Sequence, residues 1–184
     1  LRFWRGGIEY LAGKFADPGM TLEFSAKARE HDQATVIVHG LMHHAPGYAD
    51  DFIGLLTERG VEHDYYQFIW SGCQLAKILL PPNQIQHSIA LTSLTHCLAA
   101  LPAKGYSKIN VVSHSWGTVL SRDALNRQPL ILSNWVTMGS PLSAETIPRF
   151  PYQSWMNIFT RSDPVVHLAP LVYLIGFTDS TTPL

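Results

Sequence analysis

Two short runs constrain the fold more than anything else in this chain: ATVIVHG at 34–40 and KINVVSH at 108–114. Each is a continuous β-branched stretch with little polar alternation, the pattern of a strand covered on both faces, and strands of that kind belong to parallel sheets. Between and after them lie helical patterns. GYADDFIGLLTERG, at 47–60, places Phe52, Leu55 and Leu56 at helical spacing and stops at Gly60, where glycine can take the left-handed terminal conformation. PPNQIQHSIALTSLTHCLAAL, at 81–101, offers Asn83 as N-cap and Gln86 as its capping-box partner, with Ile85, Ile89, Leu94, Leu98 and Leu101 along one face. WGTVLSRDALNR reads as a further helix, YYQFIW, NWVTMGS and SWMNIFTRSD as strands, and the alternating TLEFSAKA as a half-exposed strand.

Strand and helix alternate through the middle of the chain. We therefore expect an α/β fold, a mostly parallel central sheet flanked by helices on both faces, with ligands at the carboxyl ends of the strands. At 184 residues the size suits a single domain over 1–184, with 1–18 as an N-terminal docking arm. Gly6 and Gly7 weaken the competing reading of that opening as a membrane-surface helix. It has neither a starting methionine nor the apolar stretch of a signal peptide, so a processed or trimmed N-terminus and a cytoplasmic location are expected. The longest late apolar run, LVYLIGF at 171–177, is too short to span a bilayer, and membrane contact has no support in the sequence.

The charge balance narrows the partners. Thirteen basic and 14 acidic residues are scattered without runs for a net charge of −1, so there is no electrostatic footprint for nucleic acid. Small neutral or amphiphilic substrates suit the composition better; the oligomeric state is left open. Cys73 and Cys97 are too few for a disulfide framework and read as core thiols.

In VVSHSWGT, at 111–118, Ser115 stands where a buried strand turns directly into a helix. That turn lifts a serine hydroxyl above the sheet edge and tolerates only small residues two places either side, here Ser113 and Gly117. The pattern is G-x-S-x-G with serine at the first glycine.

Four patches, VIVHG, VVSHSWGT, TMGSPL and NIFTRSDPVV, follow in an order and spacing that resemble the α/β-hydrolase superfamily, and within it the lipase and esterase-like serine hydrolases, over about 34–170. The resemblance implies a covalent acyl-enzyme on Ser115, a small acyl-bearing or lipid-like substrate and no cofactor. It implies an oxyanion hole from the amide of Trp116 and one from the loop after His39-Gly40, assigned to Leu41. It also implies Asp163 as the carboxylate orienting the base, against the alternative of an Asx turn before Pro164. The base is harder to place. His167 is the histidine that follows Asp163, four positions on, which is too close for both to reach Ser115 in triad geometry. Either His167 is nonetheless the base, or it lines the pocket or caps a turn. In the second case the chain is expected to lack the last strand of the fold and to continue past Leu184 with a strand and loop carrying the histidine.

Other histidines invite other readings. His114 is expected to pack beneath the oxyanion loop, His39 to brace that loop by hydrogen bonding, and His43 and His44 to meet substrate at the mouth of the site or simply face solvent. Two further functions compete with the hydrolase. One is a non-catalytic domain of the same fold that binds a lipid or protein partner. The other is a metal enzyme using His39, His43 and His44 with Asp50 or Asp51, disfavoured because no second cluster completes a site.

Overall fold

The computed structural model describes residues 22–23, 29–40, 47–70, 82–128, 130–142 and 151–160. In chain order these form β1 (Leu22–Glu23), β2 (Gln33–Val38), α1 (Asp50–Glu58), β3 (Asp64–Phe68), α2 (Pro82–Ala103), β4 (Lys108–His114), α3 (Trp116–Arg127), β5 (Leu132–Met138) and β6 (Tyr152–Ile158). The six strands make one sheet in the order β1-β3-β2-β4-β5-β6. Five run parallel, and β1 joins β3 antiparallel.

The β-branched runs form the two central strands, as their composition demands. In β2, Ala34, Val36 and Val38 face one layer of core with Ile109 and Val111 of β4. Leu91, Leu94 and Leu98 of α2 and Val119, Leu120 and Ala124 of α3 cover that layer. The alternate residues Ile37 and Val112 face the opposite side, against Ala49, Phe52 and Ile53 at the start of α1. Helices therefore cover both faces, which is why neither run shows polar alternation.

Polar side chains stitch the parallel strands together. Buried Asn110 donates to the carbonyl of Ala34 at 3.3 Å and accepts from Asn134 at 2.7 Å, joining β2, β4 and β5. Thr137 donates to Asn157 at 2.9 Å, and Trp135 stacks on Trp155 at 5.6 Å, joining β5 to β6.

Several local expectations shift. α2 begins at Pro82, whose fixed φ suits a first helical position, so Asn83 lies inside the first turn rather than at the cap. The buried face of α2 runs through Ala90, Leu91, Leu94, Leu98 and Leu101, and Ile89 points outward at 39% exposure. Leu55 is likewise outside at 57%, because α1 packs on the sheet through Phe52 and Ile53 and has no fully buried residue. Cys97 is half-buried and packs against the core; burial pushes its thiol up to about 11. β6 ends at Ile158, well before Asp163. Gly60 does adopt a positive φ, +78°, just past α1.

Among the described residues no helix is long and apolar enough to cross a membrane. The proposed docking arm at 1–18, Cys73 and the run 171–177 lie outside the described residues.

Candidate active site at the carboxyl ends of the central strands

From β2 the chain crosses to β3 on one side, then returns by α2 to β4 on the other side of β2. Neighbouring strands β2 and β4 thus send their connections in opposite directions, and α1 and α3 leave toward opposite faces of the sheet. A crevice opens at the carboxyl ends of such a strand pair, the usual place for a ligand in an open α/β sheet. The residues that end these two strands are His39-Gly40 and His114-Ser115.

Ser115 carries φ 52° and ψ −125°, and among the described residues no other non-glycine has positive φ. A side chain in that region costs about 1–3 kcal/mol and persists only when its surroundings enforce it. The enforcement is visible. The Ser115 amide donates to the Met138 carbonyl at 2.8 Å, anchoring the turn to the end of β5. Its carbonyl accepts from the Thr118 amide at 3.0 Å and from the Thr118 hydroxyl at 2.7 Å. Thr118 in turn meets the Ser140 hydroxyl at 2.9 Å, and Ser140 accepts from the Leu142 amide at 3.1 Å. Thr118 and Ser140, both buried, therefore tie the loop after β5 to the elbow.

The two glycines around this turn are required by space. A Cβ on Gly117 would lie 2.5 Å from the His39 carbonyl oxygen and 2.6 Å from that of Val38, so α3 starts in direct contact with the end of β2. A Cβ on Gly40 would lie 2.7 Å from the Ser115 Cβ and 3.2 Å from its Oγ. Gly40 thus lies directly against the serine. Ser113, at the first glycine position of the motif, is fully buried, and its hydroxyl accepts from the Trp135 indole at 3.2 Å. Nothing local to the motif signals that partner, which comes from the neighbouring strand.

Ser115 occupies the N-cap of α3, a position where a serine hydroxyl ordinarily accepts from a backbone amide one turn on. Here it makes no cap hydrogen bond. Its Cβ and Oγ both stand close beside Gly40.

His39 is 2% exposed and both ring nitrogens are engaged. Nε2 accepts from the Trp70 amide at 3.2 Å, which leaves the proton on Nδ1 to be donated to the Gly40 carbonyl at 2.6 Å. The Trp70 indole donates to the His39 carbonyl at 3.0 Å and stacks on the imidazole at 5.6 Å. His39 therefore braces the strand end and has no nitrogen left to ligate a metal. Trp70 is a supporting residue that spacing along the chain does not reveal. His114, expected to pack under the loop, is instead exposed, because it is the last residue of β4 on the face that α1 only partly covers. Trp116 opens α3 and is 7% exposed. Leu41, His43, His44, Asp163 and His167 lie outside the described residues.

A cavity of about 180 Å³ reaches the same strand ends, bounded by β2, β4, β5 and the start of α1. A larger one of about 600 Å³ runs along α1 and β3 from Glu30 to Gln67, away from the turn at Ser115.

No protein-family model matches the sequence, and no curated protein matches it. Solved structures do. A protein from Silicibacter sp. TM1040 described as a candidate thioesterase superimposes with a TM-score of 0.52 at 12% identity, covering 95% of this chain and 80% of that one. A lipase-esterase related protein from Clostridium acetobutylicum gives 0.42 at 10% identity, covering 65% of this chain and 46% of that one. The proline iminopeptidase of Mycobacterium smegmatis gives 0.38 at 21% identity, covering 64% and 38%. The chain thus matches less than half the length of the latter two, and of the three the Silicibacter protein carries the fold argument. The likeness to the Silicibacter protein bears on the fold alone: a mostly parallel sheet with helices on both faces, consistent with an α/β-hydrolase-like fold.

Proposed function

We propose that the protein is a serine hydrolase that cleaves an ester, thioester or related acyl bond, with Ser115 as nucleophile. The observation that carries the reading is the backbone of Ser115: positive φ at the carboxyl end of a central parallel strand, beside the point where strand connections diverge, with a hydroxyl that does not cap its helix. Strain enforced from three sides at such a place is the mark of a functional group held for reaction.

In the reaction, Ser115 Oγ forms a bond to the carbonyl carbon of the substrate while its proton passes to a general base. The resulting oxyanion is held by backbone amides, for which Trp116 at the start of α3 and Leu41 after Gly40 are the proposed donors. Collapse breaks the bond to the alcohol or thiol, which leaves with the proton. Water, deprotonated by the same base, then releases the acid and restores the serine. We assign Asp163 as the orienting carboxylate. His167 is the candidate base within the sequence, with His43 and His44 as candidate substrate contacts.

A fluorophosphonate probe should label the folded protein at Ser115, and Ser115→Ala should lose both labelling and ester turnover while keeping its melting temperature. A folded wild-type protein that resists the probe, or a Ser115→Ala variant that still turns over ester, would overturn the reading.

A further inference from the structure

Trp70 lies just past the end of β3, is 2% exposed, and directs both of its nitrogen donors at one residue. Its backbone amide donates to His39 Nε2 at 3.2 Å, and its indole donates to the His39 carbonyl at 3.0 Å. The indole also stacks on the imidazole, and Tyr48 stands edge-on to the ring at 4.8 Å. Tyr48 is fixed in turn, because its hydroxyl donates to the Ile37 carbonyl at 2.6 Å. His39 is therefore held at its ring and at its backbone by the same residue.

Each of these holds leads on to a glycine packed at the turn of Ser115. With Nε2 occupied as an acceptor, the imidazole proton lies on Nδ1 and is donated to the Gly40 carbonyl at 2.6 Å. Gly40 is the residue whose added Cβ would stand 2.7 Å from the Cβ of Ser115. The His39 carbonyl, the other group that Trp70 holds, is the oxygen that a Cβ on Gly117 would meet at 2.5 Å at the start of α3. One route runs through the ring to the residue against the serine, the other through the backbone to the helix that begins beside it.

We propose that Trp70 is a positioning residue for Ser115: acting through His39, it sets Gly40 and the first turn of α3 against the serine. This rests on the serine-hydrolase reading above. The ring route carries the larger effect. A trans peptide is planar, so a fixed Gly40 carbonyl fixes the direction of the amide that follows it, the donor proposed above for the oxyanion. A misplacement of about 1 Å introduced far from the chemistry can cost about a hundredfold in rate. The imidazole serves here as a hydrogen-bonding spacer, accepting at one nitrogen and donating at the other, and takes no part in proton transfer to substrate.

Substitutions at His39 divide the brace. An asparagine amide reaches the place of Nδ1 and a glutamine amide the place of Nε2, so His39→Asn keeps a donor for the Gly40 carbonyl whereas His39→Gln keeps only a partner for Trp70. With a short p-nitrophenyl ester, His39→Ala should lower kcat by about tenfold to a hundredfold with KM unchanged. His39→Asn should recover most of that loss and His39→Gln little of it. Trp70→Phe keeps the amide and a stacked ring but loses the indole donor, and should lower kcat less than His39→Ala does, again at constant KM. Rates are taken per folded molecule below the Tm of each variant, so lost stability alone moves none of them. In NMR spectra of isotopically labelled wild type at neutral pH, the His39 ring should carry its proton on Nδ1. A ring protonated at Nε2, or His39→Asn and His39→Gln that recover equally, overturns the positioning role and leaves Ser115 as nucleophile. Should the His39 variants fail to fold, Trp70→Phe decides alone: an unchanged kcat overturns the proposal. A wild-type protein that resists the fluorophosphonate overturns the serine reading, and this proposal with it.

Discussion

Replacing Gly117 by alanine isolates the contact that sets the elbow against the sheet. In an exposed helix Gly→Ala gains about 1 kcal/mol, because alanine loses less backbone freedom. At Gly117 the added methyl would stand 2.5 and 2.6 Å from the carbonyl oxygens of His39 and Val38. Those oxygens belong to the backbone at the end of a central strand, with the His39 carbonyl held further by Trp70, so they do not swing aside as a side-chain end would. Relief requires α3 to move off β2. Overpacking of this kind costs about 1–3 kcal/mol, and rigid neighbours put it in the upper half of that range. Less the helical gain, the net loss is about 1–2 kcal/mol, which for a chain of this size lowers Tm by about 2–8 °C. A methyl added to Gly54, on α1, would meet nothing within 4 Å, so Gly54→Ala should raise Tm instead. The assay is paired: thermal unfolding by circular dichroism of both variants, and the fluorophosphonate labelling rate below Tm. Gly117→Ala should also label more slowly, since Ser115 sits two residues before the displaced turn. If Gly117→Ala is stabilised as much as Gly54→Ala, α3 does not press on β2 as described and the explanation of the elbow fails.

Three further outcomes follow from named contacts. Thr118→Val removes the hydroxyl that donates to the Ser115 carbonyl and meets Ser140; it should cost about 1–3 kcal/mol in urea unfolding and slow labelling of Ser115, and Thr118→Ser should restore both. His63 is held below its ordinary 6.5 by partial burial first and by the nearby charge of His31 second. The folded state therefore binds fewer protons than the unfolded one, so stability is full above about pH 6.5 and declines as the pH falls through the lowered value; His63→Gln should flatten that decline in unfolding curves taken across the acid range. With Cys97 raised to about 11 from 9.0, its thiolate is scarcer in the folded state by about a hundredfold, and iodoacetamide should modify it correspondingly faster after unfolding.

How much of this can be read from the residues alone depends on how far apart the interacting groups lie. The β-branched runs announce central strands because burial on both faces leaves no room for polar alternation, and Ser115 stands out because a strand runs straight into a helix around it. Helix faces are harder. Ile89 and Leu55 fit the periodicity yet point outward, since spacing marks an apolar stripe without saying how wide a neighbour covers it. His114 departs from expectation for a related reason: alternation puts it on one face of β4, but only the packing of α1 decides whether that face is covered. The partners that hold the site, Trp70 for His39 and Trp135 for Ser113, come from neighbouring segments 31 and 22 positions away. No local pattern encodes them. Trp135 also accounts for serine at the first position of the motif, where the space is small but the hydroxyl has a donor to receive.

The pairing of β2 with β4 has a kinetic consequence. Thr35 and Asn110, which face each other across it, are 75 positions apart, whereas the links from β4 to β5 and from β5 to β6 span 24 and 20. Closing the longer loop costs more entropy and is slower, so a unit of β4, α3, β5 and β6 can assemble while Gly40 is still absent from beside Ser115. Ser115 would then be in place before its surroundings are. During refolding, secondary structure should accordingly recover ahead of reactivity toward the fluorophosphonate, and the delay between the two signals would time the docking of the amino-terminal strands onto the rest of the sheet.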